Sequence, residues 1–139
     1  MTRLKSHDIE CSHCGSKQNI TFWESVDVGT DPDLRQRLFE GRMNVFKCQK
    51  CEKLTFISVP LFYHDAEKEF CVQFFPVDWL QDESLLLDAF TGEGELSTAL
   101  FQLQETSDYM KRTHIVFDMD ELLRYIVFRE KLYEAWKNH

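Results

Sequence analysis

Ile9-Glu10-Cys11-Ser12-His13-Cys14-Gly15 and Phe46-Lys47-Cys48-Gln49-Lys50-Cys51 decide how this chain reads. Each stretch holds a Cys-x-x-Cys pair, and 33 residues lie between the pairs. Four thiolates complete the tetrahedral shell of one structural zinc and leave no position for water or substrate. The spacing therefore predicts one structural Zn²⁺ on Cys11, Cys14, Cys48 and Cys51, and it argues against zinc catalysis. Gly15 permits the positive φ a tight turn needs, and such a turn aims backbone amides at the sulfurs. Iron binds similar cysteine sets. A redox dithiol should open a helix after a βαβ-type strand, and neither pair has that setting. His7 and His13 flank the first pair, but four cysteines already suffice.

Working outward, Ile20–Val28 is rich in strand formers and predicts a strand bent or bulged at Trp23. A short helix over Asp31–Glu40 follows, with Asp31 as N-cap, Pro32 in the first position and Gly41 as its stop. Leu54–Val59 predicts a strand running towards Tyr63, with Pro60 marking a bulge, an edge or an early end. His64–Lys68 reads as a polar turn before a returning strand, Phe70–Phe75. Asp82–Phe90 reads as a helix, Thr98–Leu103 as either strand or helix, and Thr113–Phe117 as a strand. A helix over Met119–Lys137, capped by Asp118 or Asp120, closes the chain. The expected fold is α+β. A zinc-ribbon-like N-terminal module runs on into an antiparallel sheet, and the C-terminal helix packs against that sheet. Residues 1–139 read as a single domain, with a metal-binding module at 9–60 and a β meander plus helical acidic part at 61–139.

That last helix is apolar over a wide arc. Leu122, Leu123, Ile126 and Val127 share one broad face. Tyr125, Phe128, Leu132 and Trp136 follow the three-to-four spacing along a neighbouring one. The second set is the candidate interface, for self-association or for a protein partner.

Composition narrows the function classes. The chain has 12 Phe, 3 Trp and 4 Tyr, ample for a core. No apolar run approaches the roughly 20 residues that span a bilayer, so no membrane role is expected. Met1–Cys11 is polar and mixed in charge, without a secretory pattern. Five cysteines fit a metal site plus one core thiol, Cys71, better than a disulfide framework, and so a cytoplasmic setting. The net charge of -8 is concentrated in residues 61–139, which hold 7 Lys/Arg against 16 Asp/Glu. That balance opposes nucleic acid, because only Arg42, Lys47, Lys50 and Lys53 offer phosphate contacts.

These residues resemble the CpXC domain family, small prokaryotic proteins named for two Cys-Pro-x-Cys motifs. The resemblance rests on Cys11-x-x-Cys14-Gly15, Asp31-Pro32-Asp33-Leu34, Gly41, Phe46-x-Cys48-x-x-Cys51 and Pro60-Leu61-Phe62-Tyr63-His64-Asp65. It covers Ile9 to about Val77. Ile115-Val116-Phe117 with Glu121-Leu122 and Ile126 is similar to the family's closing strand and helix. Ser12 and Gln49 stand where the motif has proline, which alters knuckle stiffness and leaves all four sulfurs in place. The resemblance implies a fold and a metal site, and no activity.

Three functions follow. The first is a zinc-stabilised structural or protein-interaction domain. The second is a nucleic-acid-binding zinc ribbon. The third is a small enzyme using Tyr63, His64 and Asp65, with His64 as acid–base and Asp65 orienting it. Neighbours on a strand point to opposite faces, which weighs against the third.

Overall fold

The computed structural model describes residues 2–97 and 108–139. The chain opens with a long antiparallel hairpin of β1 (Arg3–Glu10) and β2 (Lys17–Asp27), and the first Cys-x-x-Cys is its turn. β1 is a sheet edge with no fully buried side chain, so it lacks the apolar alternation that marks a strand in sequence. Arg3 faces Ser25 while Leu4 faces Trp23, leaving Glu24 as an extra residue. The expected bulge thus falls one residue beyond Trp23.

After β2 come α1 (Asp33–Phe39) and a separate two-stranded hairpin, β3 (Val45–Lys47) and β4 (Leu54–Phe56), turned by the second Cys-x-x-Cys. Asp31 does not cap α1 through its side chain. The helix starts one residue later than expected, with Pro32 at the N-cap, and the Asp31 carbonyl accepts from Leu34 N instead. The helix is tied down by Arg35, which makes a two-pronged contact with Glu130 at 2.6 and 2.7 Å.

The strand expected from Leu54 onward is two strands. β4 stops at Phe56, and β5 (Leu61–Asp65) begins just after Pro60. β5 pairs antiparallel with β6 (Phe70–Phe74). Yet the sheet is mixed and not antiparallel throughout, in the order β1-β2-β5-β6-β7. β2 runs parallel to β5, and β6 runs parallel to β7 (His114–Val116). The reason is connection length. A hairpin turn reverses the chain, whereas α1 with the β3–β4 hairpin, and later residues 75–113, are long enough to bring it back in the same direction.

α2 (Glu83–Ala89) is capped by Asp82; the sequence offers Asp82 or Ser84, and the Asp82 carboxylate accepts from Ser84 N at 3.0 Å. α3 (Met119–Lys137) is capped by Asp118, whose carboxylate accepts from Asp120 N at 2.8 Å and Glu121 N at 3.4 Å. Thr98–Leu103 lies outside the described residues. Alternation along the central strands sorts their side chains. Val26, Leu61, Tyr63, Phe70, Val72, Phe74 and Val116 join Leu122 and Ile126 of α3 in the main core. Fully burying each large aliphatic side chain contributes about 1.5–3 kcal/mol, so this face secures the sheet and α3 together. The other face carries Asp27, Phe62, His64, Cys71 and Gln73 in register.

Candidate metal centre

The two knuckles repeat one local design. In the first, Cys11 N donates to Ser16 O and Gly15 N donates to Cys11 O, both at 2.8 Å. In the second, Cys48 N donates to Lys53 O at 3.0 Å and Glu52 N donates to Cys48 O at 2.9 Å. The residue after each second cysteine sits in the left-handed region, Gly15 at φ 74° and Glu52 at φ 62°. The first knuckle therefore uses the residue suited to that conformation, and the second accepts strain at Glu52.

The knuckles approach from separate hairpins and bring four sulfurs within 4.8 Å of one another. Two cross-hairpin edges are short, Cys11 to Cys51 at 3.6 Å and Cys14 to Cys48 at 3.5 Å. A Zn–S bond of about 2.3 Å gives a tetrahedral S···S edge of about 3.8 Å, so the arrangement fits a tetrahedral ion. No disulfide joins the described cysteines. Cys11 and Cys48 are buried, Cys51 is half-buried and Cys14 is exposed. His7 and His13 lie outside the cluster, and His7 packs edge-on against Phe22.

The amides prepare the site for anionic sulfur. Donation from Cys51 N, and then from Lys50 N, holds the Cys48 thiol down at about 6 although burial pushes it up. Amides of His13 and Cys14 lower Cys11 in the same way. Cys51 goes the other way. The Lys53 amide lowers it, but burial and the three neighbouring sulfurs raise it to about 11. Four negative sulfurs this close repel one another, and a divalent cation removes that conflict. Gln18 adds a donor, with Nε2 3.2 Å from Cys48 Sγ, while its Oε1 accepts from Gln49 N at 3.3 Å. Ile9, Ile20, Phe46 and Ile57 pack round the sulfurs in a small apolar cluster.

Asn44 was missed in sequence and links this end to the sheet. It is buried and has φ 55°. Its side chain accepts from Trp23 N at 2.7 Å and donates to Trp23 O at 3.0 Å, beside the Glu24 bulge. The one signal for it was an Asn immediately before a strand, which tolerates the left-handed region.

His64 and Asp65 are not a polar turn. They end the central strand β5, buried on both faces. The expected Tyr63, His64 and Asp65 cluster is split by strand alternation. Tyr63 lies in the main core, stacked on Phe70, and burial pushes its hydroxyl well above the usual tyrosine range. Asp65 faces Lys68, accepting from its amide at 3.1 Å with Nζ at 3.5 Å. His64 points the other way, with Nε2 2.6 Å from the Tyr109 hydroxyl and Nδ1 3.6 Å from Asp27 Oδ2. Burial lowers the His64 pKa more than the Asp27 carboxylate raises it, which favours the neutral ring, and its tautomer sets whether Nε2 or the Tyr109 hydroxyl donates. Burial also raises Tyr109, which opposes a nucleophilic role. Cys71 stands directly opposite His64 in register, but its sulfur contacts Thr113 Oγ1 at 3.1 Å. The arrangement fastens the turn at 108–112 to the sheet.

Of the four candidate interface residues, Tyr125 is packed on the sheet, its ring 4.0 Å from that of His114. Phe128, Leu132 and Trp136 are 56%, 38% and 72% exposed. Lys47, Lys50 and Lys53 are exposed on the β3–β4 hairpin, with Glu52 among them. No helix among the described residues is long and apolar enough to cross a membrane. The family model described as CpXC protein matches residues 9–136. No curated protein and no solved structure matches the chain.

Proposed function

The chain belongs to the CpXC family, and on that premise we propose that it is a cytoplasmic, zinc-stabilised domain whose task is protein interaction rather than catalysis. The observation that carries the proposal is the convergence of four cysteine sulfurs, from two hairpins of different sheets, within 4.8 Å. A site with four protein ligands is closed to substrate, and zinc is the ion such sulfur sets hold most often in structural roles. The zinc would cross-link two hairpins whose shared apolar cluster is too small to hold them. The interaction surface is the outer face of α3, where Phe128, Leu132 and Trp136 recur at four-residue spacing and remain exposed.

Elemental analysis of the purified chain tests the metal. One zinc per chain is expected, falling towards zero in Cys48→Ala. Folded protein without zinc would overturn the proposal. Nucleic-acid binding is the second reading, supported by the exposed lysines beside the centre. Saturable, salt-sensitive binding of mixed DNA and RNA oligomers would raise it above the first.

A further inference from the structure

We propose that Gln18 is the positioning residue of the metal centre, clamping the two knuckles to each other through its side-chain amide and setting how slowly the centre gives up its metal. The inference rests on the reading of the four sulfurs as a metal site and adds the residue that governs release. A glutamine amide has two N–H donors and one carbonyl acceptor. In Gln18 each of them is engaged. Nε2 donates to Ser16 Oγ and to Cys48 Sγ, both at 3.2 Å, and Oε1 accepts from Gln49 N at 3.3 Å. Turned over, the amide would set a carbonyl oxygen against the sulfur and an NH2 group against the Gln49 N–H. The chemistry of the partners therefore fixes which end points where.

These partners belong to both knuckles. Ser16 is part of the first, where its carbonyl accepts from Cys11 N at 2.8 Å. Cys48 and Gln49 are successive residues of the second, which is carried by the separate β3–β4 hairpin. Gln18 itself lies on β2, its backbone in register with Ile9. β2 thus grips the second hairpin at two levels. At the base of that hairpin Asn44 holds the Trp23 backbone, and at its tip Gln18 holds the Cys48 sulfur and the amide that follows it.

The clamp acts on the sulfur as well as on the backbone. Cys48 is fully buried and also accepts from Cys51 N at 3.5 Å. A hydrogen bond to a charged acceptor is roughly twice as strong as a neutral one, and a thiolate keeps its charge while it holds a metal. Before Cys48 can leave the metal for a proton or a chelator, it must give up the Gln18 contact. Groups that orient a metal ligand in this way change metal affinity by about 10–100-fold when they are removed.

Zinc transfer to an excess of chelator, followed in the full chain and in two variants, tests this. Gln18→Leu removes the donor and the acceptor together. Gln18→Glu keeps the length and an acceptor for Gln49 N, but turns a carboxylate oxygen towards the sulfur. Zinc should leave Gln18→Leu at least about tenfold faster than the native chain, and Gln18→Glu faster still. A second readout is the reduction potential of the same chains loaded with iron in place of zinc. An N–H donated to sulfur stabilises the reduced, more negative centre, so the potential should fall in Gln18→Leu and fall further in Gln18→Glu. Unchanged zinc release in Gln18→Leu overturns the proposal. So does a Gln18→Glu chain that matches the native one, which would make length and not donation the requirement. A potential that stays level or rises in Gln18→Leu overturns it too. Zinc content of the same samples keeps the readings apart. One zinc in every chain with equal release rates removes the clamp alone, whereas a folded native chain without zinc removes the metal reading and the clamp with it. Circular dichroism in excess zinc checks that the variants fold, and Gln18→Ala carries the same expectation as Gln18→Leu where the larger side chain does not fit.

Discussion

One end of β2 meets a cluster of four cysteine sulfurs and the other a hydrocarbon core. At the knuckle end, Ile20 packs near Cys11, Phe46 and Cys48, the three buried members of that cluster among the described residues. At the far end, Val26 lies in a core that, among the described residues, has eleven buried members including Tyr63, Leu122 and Ile126. In the larger core each fully buried large apolar side chain contributes about 1.5–3 kcal/mol. The smaller one has few apolar members, and on the proposed reading a metal ion holds its two hairpins together. The comparison teaches that the same strand serves two sources of cohesion, joined through the Asn44 contact with Trp23.

The largest expected effect breaks the hydrocarbon end. Leu122→Ala removes a fully buried side chain from the α3–sheet contact and should cost about 3 kcal/mol, within the range for such truncations. Urea unfolding in excess zinc measures it, and a loss below about 1 kcal/mol would deny that α3 anchors the core. Next comes the joint. Asn44→Ala leaves two Trp23 backbone groups without their partner and should cost about 1–3 kcal/mol. Its effect should show in Trp fluorescence and in faster zinc loss to a chelator, with α3 little disturbed. Unchanged zinc release would show that Asn44 does not couple the two ends.

The smallest effect concerns pH. The His64 pKa is below its unfolded value of about 6.5. The unfolded chain therefore binds the proton first, and the contribution of neutral His64 is complete above that value and lost as pH falls below it. His64→Gln keeps a hydrogen-bonding group near Tyr109 and should flatten stability between about pH 7 and 5 relative to the native chain. Identical pH slopes would show that His64 is not the titrating group on that face.

Legibility followed locality. The knuckles and the span of α3 depend on residues a few positions apart, and the sequence displays them, while it narrows the caps of α2 and α3 to two residues each, of which Asp82 and Asp118 serve. β1 was invisible because an edge strand exposed to water needs no apolar pattern. The parallel pairing of β2 with β5 joins residues 37 apart, Val26 with Tyr63, and depends on the path of α1 and the β3–β4 hairpin. His64 suggested Asp65 by adjacency, yet strand alternation parts them, and the contacts are Asp27 and Tyr109 from distant elements. Asn44 was hidden for the same reason, since its partner is 21 residues away.

Amide hydrogen exchange, compared between zinc-loaded and chelator-treated protein, tests the division of cohesion most directly. Removal of zinc should strip protection from residues 9–20 and from β3 and β4, while β5, β6 and α3 keep theirs. Protection unchanged everywhere, or lost across the whole chain at once, would contradict it.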